Sequence, residues 1–288
     1  MIEEKTLDNN KPGVSRRGFL TGTGAAIGGL AVGALFGINV SKAEASTALP
    51  WPYPTGGFNA TDLQNIRQRA YDGYIQAGCC YGAARGLIET LREKLGPGSP
   101  WDDLPLDMFR FGAGGALSWG TLCGALNGSL PVIAVLAPTK LGGFADALLG
   151  WYNGNAFPST ELDAYIASNP AYANYNIPNQ TTSIASSPLC HTSVSIWCAA
   201  AQAKVNSNAK KTRCGKLTAD TAAKTAQMLN DWLINGVAPA GISFDADTAS
   251  CMSCHTGPAS TYDNEQGKMS CGECHADGGK NVAPGCTK

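Results

Sequence analysis

Cys251-Met-Ser-Cys254-His255 and Cys271-Gly-Glu-Cys274-His275 repeat one pattern twice near the end of the chain. C-x-x-C-H is the attachment signature of c-type haem. The two thiols add across the haem vinyl groups, and the adjacent histidine is placed to bind the iron from one face. Two copies predict two haems held close together, and with them redox chemistry. With the histidines ignored, the same residues read C-x2-C-x16-C-x2-C, within the spacing of a structural zinc ribbon. A tetrathiolate zinc leaves unexplained why histidine follows both pairs in a chain of 288 residues with only three histidines. The haem reading is therefore preferred, with Cys251, Cys254, Cys271 and Cys274 as attachment residues and His255 and His275 as proximal ligands.

The compartment agrees with haem. Residues 1–45 read as an export signal: Ser15-Arg16-Arg17-Gly18-Phe19-Leu20 is a twin-arginine sequence, and a Gly- and Ala-rich apolar run follows to about Val40. Ala43-Glu44-Ala45 offers a signal-peptidase pattern. That run is long enough to span a bilayer, but its glycines and the cleavage pattern predict removal, leaving no stable membrane anchor. The expected location is the periplasm. The twin-arginine route carries folded proteins, whereas haem c is attached outside the membrane, so the signal hints at a second cofactor built inside the cell.

Eleven cysteines are present, and seven remain outside the haem motifs: Cys79, Cys80, Cys123, Cys190, Cys198, Cys214 and Cys286. Seven cannot all pair within one chain. Disulfides are the ordinary expectation for an exported protein, and an iron–sulfur cluster needs about four thiolates that can be scattered along the chain. Spacing leaves both open.

The elements that must position these residues read as mostly helical. Asn59 or Thr61 caps a helix with Leu63, Ile66, Ala70, Tyr74 and Ala77 on one face. Gly78 breaks the period and sets Cys79 and Cys80 at the start of a second helix, with Ala84, Ile88, Leu91 and Leu95, stopped by Gly96-Pro97. Phe111-Gly112-Ala113-Gly114-Gly115 lacks the lysine and spacing of a phosphate-binding loop, so close backbone packing is expected there. Gly124 and Gly128 share a helical face after Cys123, and Pro131 should kink or restart that helix. Shorter helices are predicted over 144–151 and 160–167, and a long surface loop over 171–187. Cys190-His191 precedes a helix, Lys210 to Cys214 form a small basic turn, and Thr218 caps a helix ending at Gly236. The fold class is all-α: a multihelical domain over 46–236, then an irregular dihaem segment over 237–288. Charge is nearly balanced, at a net of -1, with no basic stripe, which argues against a nucleic-acid partner.

Cys80-Tyr-Gly-Ala-Ala84, the glycines from Phe111 to Gly115, and Cys123-Gly-Ala-Leu-Asn-Gly128 resemble the family named for its C…GCAxxG…C…C cysteine pattern. The twin-arginine signal and haem-bearing tail resemble its split-Soret cytochrome c branch. One departure is Cys-Gly-Ala where the family name has Gly-Cys-Ala. The resemblance implies a mainly helical homodimer with two stacked haems c per chain, bis-histidine ligation with ligands donated across the dimer, and a labile iron–sulfur centre of [2Fe–2S] type. It implies Cys80, Cys123, Cys190 and Cys214 as cluster ligands, with Cys79 the rival of Cys80 and Cys198 of Cys190.

Fifteen residues, Thr256 to Ser270, separate the haem motifs, a flexible span on the order of 20 Å. Two bis-histidine haems need four histidines, and after His255 and His275 only His191 remains for a distal position. One haem per chain is thus left with a non-histidine ligand, Met269 or Met228 being candidates, or with a lysine, the new N-terminal amine, water or none. If both irons carry two protein ligands, the chain is a periplasmic electron carrier, the preferred function, with no catalytic residues of its own. An open iron would make it a reductase of nitrite, nitric oxide or peroxide. A hydrolase is disfavoured: no G-x-S-x-G elbow occurs, and Cys–His catalysis would rest on His191 alone.

Overall fold

The computed structural model describes residues 51–242, 244, 246–255 and 268–272. The export signal over 1–45, Cys274, His275 and Cys286 lie outside these described residues.

Asn59 opens the first helix, α1 (Ala60–Ala77). Its side chain accepts from the Asp62 N–H and the Asp62 carboxylate accepts from the Asn59 N–H, both at 2.9 Å, a reciprocal capping box. Gly78, at φ 86°, turns the chain in a conformation only glycine adopts freely. α2 (Cys79–Leu95) follows at once and runs back along α1. A Cβ at Gly82 would lie 2.5 Å from the Ala70 carbonyl oxygen, and one at Gly86 would lie 2.6 Å from that of Ile66. At the far end Lys94 Nζ donates to Asp62 at 2.9 Å.

A 3₁₀ helix (Leu106–Gly112) leads to α3 (Gly124–Leu136) and α4 (Leu141–Gly154). Strand β1 (Ala156–Phe157) pairs antiparallel with β2 (Ser183–Ile184), Ala156 opposite Ile184. Between them lies α5 (Asp163–Ser168); beyond them come α6 (Cys190–Ala201), α7 (Asn208–Leu233) and α8 (Ala246–His255). Apart from this two-stranded ladder the described elements are helical, in keeping with the all-α class. The ladder itself falls partly in the stretch read as surface loop.

The expected close approach at Gly124 and Gly128 is present. A Cβ at Gly128 would stand 2.2 Å from the Cys80 carbonyl oxygen, and one at Gly124 would stand 2.5 Å from the Gly112 oxygen. Pro131 does not break α3, which continues to Leu136; the proline is on the exposed side, where a gap in the hydrogen-bond ladder costs least.

α7 is the central element, buried on most sides between Thr212 and Leu229 and packed on α1, α2 and α3. Its buried threonines turn inward on the helix: Thr218 Oγ1 donates to the Cys214 carbonyl, Thr221 to Leu217 and Thr225 to Thr221, each at 2.8 Å. Thr218 is therefore no cap, and Lys210 to Cys214 form no turn. The helix starts upstream, where Ser207 accepts from the Lys210 N–H at 3.2 Å. Two core cations, Arg213 and Lys216, interrupt the apolar period and hide the first two turns. α8 likewise replaces the irregular start expected for the haem segment.

Candidate metal centre

Three cysteines outside the haem motifs take their places from helix starts, and a fourth lies one turn into a helix. Cys79 is the first residue of α2, Cys123 is the N-cap of α3, and Cys190 is the first residue of α6. Cys214 lies in the second turn of α7. A short antiparallel bridge between Leu122 and Leu189 pins two of these starts together. The Cys123 N–H donates to the Pro188 carbonyl at 2.8 Å, and the Cys190 N–H to that of Thr121 at 2.7 Å.

Cys79, Cys123, Cys190 and Cys214 line one small cavity with Tyr152, Ser193 and Arg213. Its volume of about 10 Å³ is about the room that one water molecule needs. Among the described residues no three His, Cys, Asp or Glu side chains stand in an arrangement that could hold a metal ion as they are; the four thiols share the lining of one cavity.

Cys80, which the family pattern put in the set, faces elsewhere. Its Sγ lies where a Cβ on Gly112 would come within 2.6 Å, and Cys79 takes its place at the cavity. The helical register carried the signal: Cys80 is four residues before Ala84 and eight before Ile88, on the apolar stripe of α2, whereas Cys79 is a third of a turn away. Cys190 lines the cavity and Cys198, its rival, does not. Cys79, Cys80, Cys123, Cys190, Cys198 and Cys214 are all free thiols.

The cavity suits anions. Three helix N-termini bring positive partial charge to it, an environment that favours thiolate over thiol. Burial and the closeness of the thiols to one another oppose ionisation. Hydrogen bonding to Cys123, then burial, holds the Cys79 thiol well above its ordinary value. Burial, with Cys79 and Cys214 alongside, pushes Cys190 up to about 12. Ligation to a metal displaces such protons.

Sequence reasoning missed the polar neighbours of the thiols. Arg213 is only 1% exposed. Its Nη2 donates to Ser193 Oγ at 2.9 Å and its Nη1 to Cys214 Sγ at 3.8 Å, while Nε–H has no acceptor among the described residues. Tyr152 donates its hydroxyl to the same Ser193 oxygen at 3.0 Å. No motif announces these residues; only the fold brings α4, α6 and α7 together. Four thiols and an orphaned buried donor fit a thiolate-bound, net-negative metal group.

In the haem segment, α8 carries Cys251 one turn before Cys254 and ends on His255. The second motif begins beside it: the Cys271 N–H donates to Thr248 Oγ1 at 3.2 Å. This segment is tied to the body by Lys268 on Asp146 at 2.8 Å and by the Ser270 N–H on the Ser186 carbonyl at 3.3 Å. His191 is exposed at the start of α6, packed by its Cβ against Gly120, where an added Cβ would lie 2.9 Å away. Met269 Sδ accepts from Ser187 Oγ at 3.7 Å. Met228 lines a separate cavity of about 440 Å³ with Trp151 and Ile242.

Residues 80–228 match the family described as "Putative redox-active protein (C_GCAxxG_C_C)". The chain is 31% identical over 278 residues to the split-Soret cytochrome c of Desulfovibrio desulfuricans, covering 91% of this chain and 95% of that protein. It is also similar to the solved structure titled "A novel iron centre in the split-Soret cytochrome c from Desulfovibrio desulfuricans ATCC 27774", at a TM-score of 0.63 and 30% identity, over 74% of this chain and 87% of the other. With its cysteine-bearing helix starts and this similarity along nearly its whole length, the chain belongs to the C_GCAxxG_C_C family of redox-active proteins and, within it, to the split-Soret cytochromes c.

Proposed function

We propose that the protein is a periplasmic dihaem electron carrier with an additional iron–sulfur centre. The observation that carries this is the pair of C-x-x-C-H motifs with the first cysteine of the second hydrogen-bonded beside the first, Cys271 N–H on Thr248 Oγ1. Attachment points this close favour neighbouring haems, and the relative's name supports covalent haem. Cys251, Cys254, Cys271 and Cys274 would hold the two groups, with His255 and His275 as proximal ligands. When bound, the haems supply one-electron iron couples whose potentials follow the axial ligands and burial.

Cys79, Cys123, Cys190 and Cys214 would hold the iron–sulfur centre, of [2Fe–2S] type. Its support is the shared cavity, the convergent helix starts and the iron centre named in the relative's structure. The twin-arginine sequence supports export of a chain already loaded with that centre, a signal over 1–45, and a periplasmic site of action with periplasmic redox partners. Exposed Leu117 and Trp119, next in the chain to Gly120 on which His191 packs, support a homodimer that covers this face. His191 would then serve as a distal ligand across the interface.

The histidine count favours a second function, reduction of a small oxidant such as nitrite, nitric oxide or peroxide. Three histidines cannot supply four axial positions, so one iron per chain needs another ligand or stays open. Carbon monoxide added to the dithionite-reduced protein separates the two. A carrier with both irons capped keeps its Soret spectrum unchanged; a shift in half of the haem contradicts the carrier and supports the reductase.

A further inference from the structure

Arg213 carries a buried charge that no carboxylate among the described residues meets. It is 1% exposed, and no ion pair among the described residues includes it. The other deeply buried cation of α7, Lys216, is paired with Asp163. Arg67 likewise lies 3.9 Å from Asp220. The partners of Arg213 are instead a neutral hydroxyl, Ser193, and the sulfur of Cys214. Its Nε–H is buried with no acceptor among the described residues. A buried, unpaired guanidinium is strongly destabilising unless an anion meets it.

Arg213 lines one cavity together with the four thiols, so an anion held there would meet its charge. The starts of α2, α3 and α6 add positive potential at the same place, so the charge imbalance is larger than the guanidinium alone. An iron–sulfur group held by four thiolates is net negative when oxidised and gains one further negative charge with each electron. We propose that Arg213 is the counter-charge and hydrogen-bond donor of the centre. Its Nε–H is directed to a sulfur of that group, and it raises the reduction potential by favouring the more negative, reduced state. Ser193, held by Tyr152, is a positioning residue: it accepts from Nη2 and fixes the plane of the guanidinium. The role rests on the iron–sulfur centre proposed above.

The test uses the full-length, haem-loaded protein with Arg213→Gln and Arg213→Lys. Non-haem iron and sulfide are assayed per chain, and the centre is titrated potentiometrically by electron paramagnetic resonance, with haem content as the control for folding. Arg213→Gln is expected to keep the haems and to move the oxidised-to-reduced ratio at fixed potential by tenfold or more toward oxidised, about 59 mV for a one-electron couple. Arg213→Lys, which keeps the charge but loses the fork, is expected to shift it less. A centre in Arg213→Gln with unchanged loading and unchanged potential overturns the proposal. Should Arg213→Gln lose the centre, thermal unfolding of the centre-free proteins decides. A counter-charge role expects the variant to melt at or above the wild type, because the unpaired charge is gone; a lower midpoint marks a merely structural arginine and overturns it. Wild-type protein without non-haem iron and sulfide removes the iron–sulfur centre itself, and the role with it, before any substitution is compared.

Discussion

Cys79 and Cys80 are neighbours in sequence and opposites in structure. Cys79 faces three other thiols across a small cavity, while Cys80 is packed on Gly112 in the core. Cys79→Ser is therefore expected to abolish or strongly deplete the non-haem iron and sulfide, leaving haem content intact. Cys80→Ser is expected to retain them while losing stability, because it places a hydroxyl in a buried apolar site, at about 1–3 kcal/mol. Iron and sulfide assays with a thermal melt on each variant distinguish the two; the reverse pattern contradicts the assignment. The doublet is legible in the sequence as one candidate ligand position, and the stripe of Ala84 and Ile88 holds the information to choose between its members. Arg213 is not legible. A charged residue among lysines reads as surface, and only the packing of α7 through the core turns it inward.

At the scale of elements, the sequence announces the helices whose ends are chemically marked. Asn59, Gly78 and Gly96 delimit α1 and α2 where expected, and Gly124 and Gly128 make the backbone approach their spacing implies. Gly128→Ala is expected to destabilise the protein by about 1–3 kcal/mol, since the new methyl meets the Cys80 carbonyl. That is a fall in melting temperature of about 2–4 °C per kcal/mol for a chain of this class, and an unchanged midpoint contradicts the packing. The capping box of α1 adds a pH dependence. Burial alone would raise the Asp62 pKa, but the hydrogen bonds and charge of Lys94 and the Asn59 N–H hold it below the usual carboxylate value. A depressed folded value gives stability present above the unfolded pKa, near 4, and lost as pH falls through and below it. Asp62→Asn is expected to cost about 1 kcal/mol at pH 7 and progressively less below pH 4, measured by denaturant unfolding across that range; a pH-independent difference contradicts it. The start of α7 is the chief miss, because Thr218 resembles a cap and its hydroxyl is in fact spent on the Cys214 carbonyl.

For the whole molecule, the tandem haem motifs make the chemistry legible from residue spacing alone, whereas the gathering of four cysteines separated by up to 135 positions needs the fold. That separation, from Cys79 to Cys214, is closed by α7 lying against α2 and by the Leu122–Leu189 bridge. The same architecture sets the haem segment against the body, with Cys271 beside α8 and Lys268 on Asp146. The most direct test is the cofactor inventory of the exported protein: pyridine haemochrome with total iron, zinc and acid-labile sulfide, on chains matured in a host competent for haem c attachment. Two haems per chain, with iron in excess of the haem and sulfide alongside it, are expected. One zinc per chain and no haem would contradict the electron carrier and leave the terminal cysteines as a zinc ribbon.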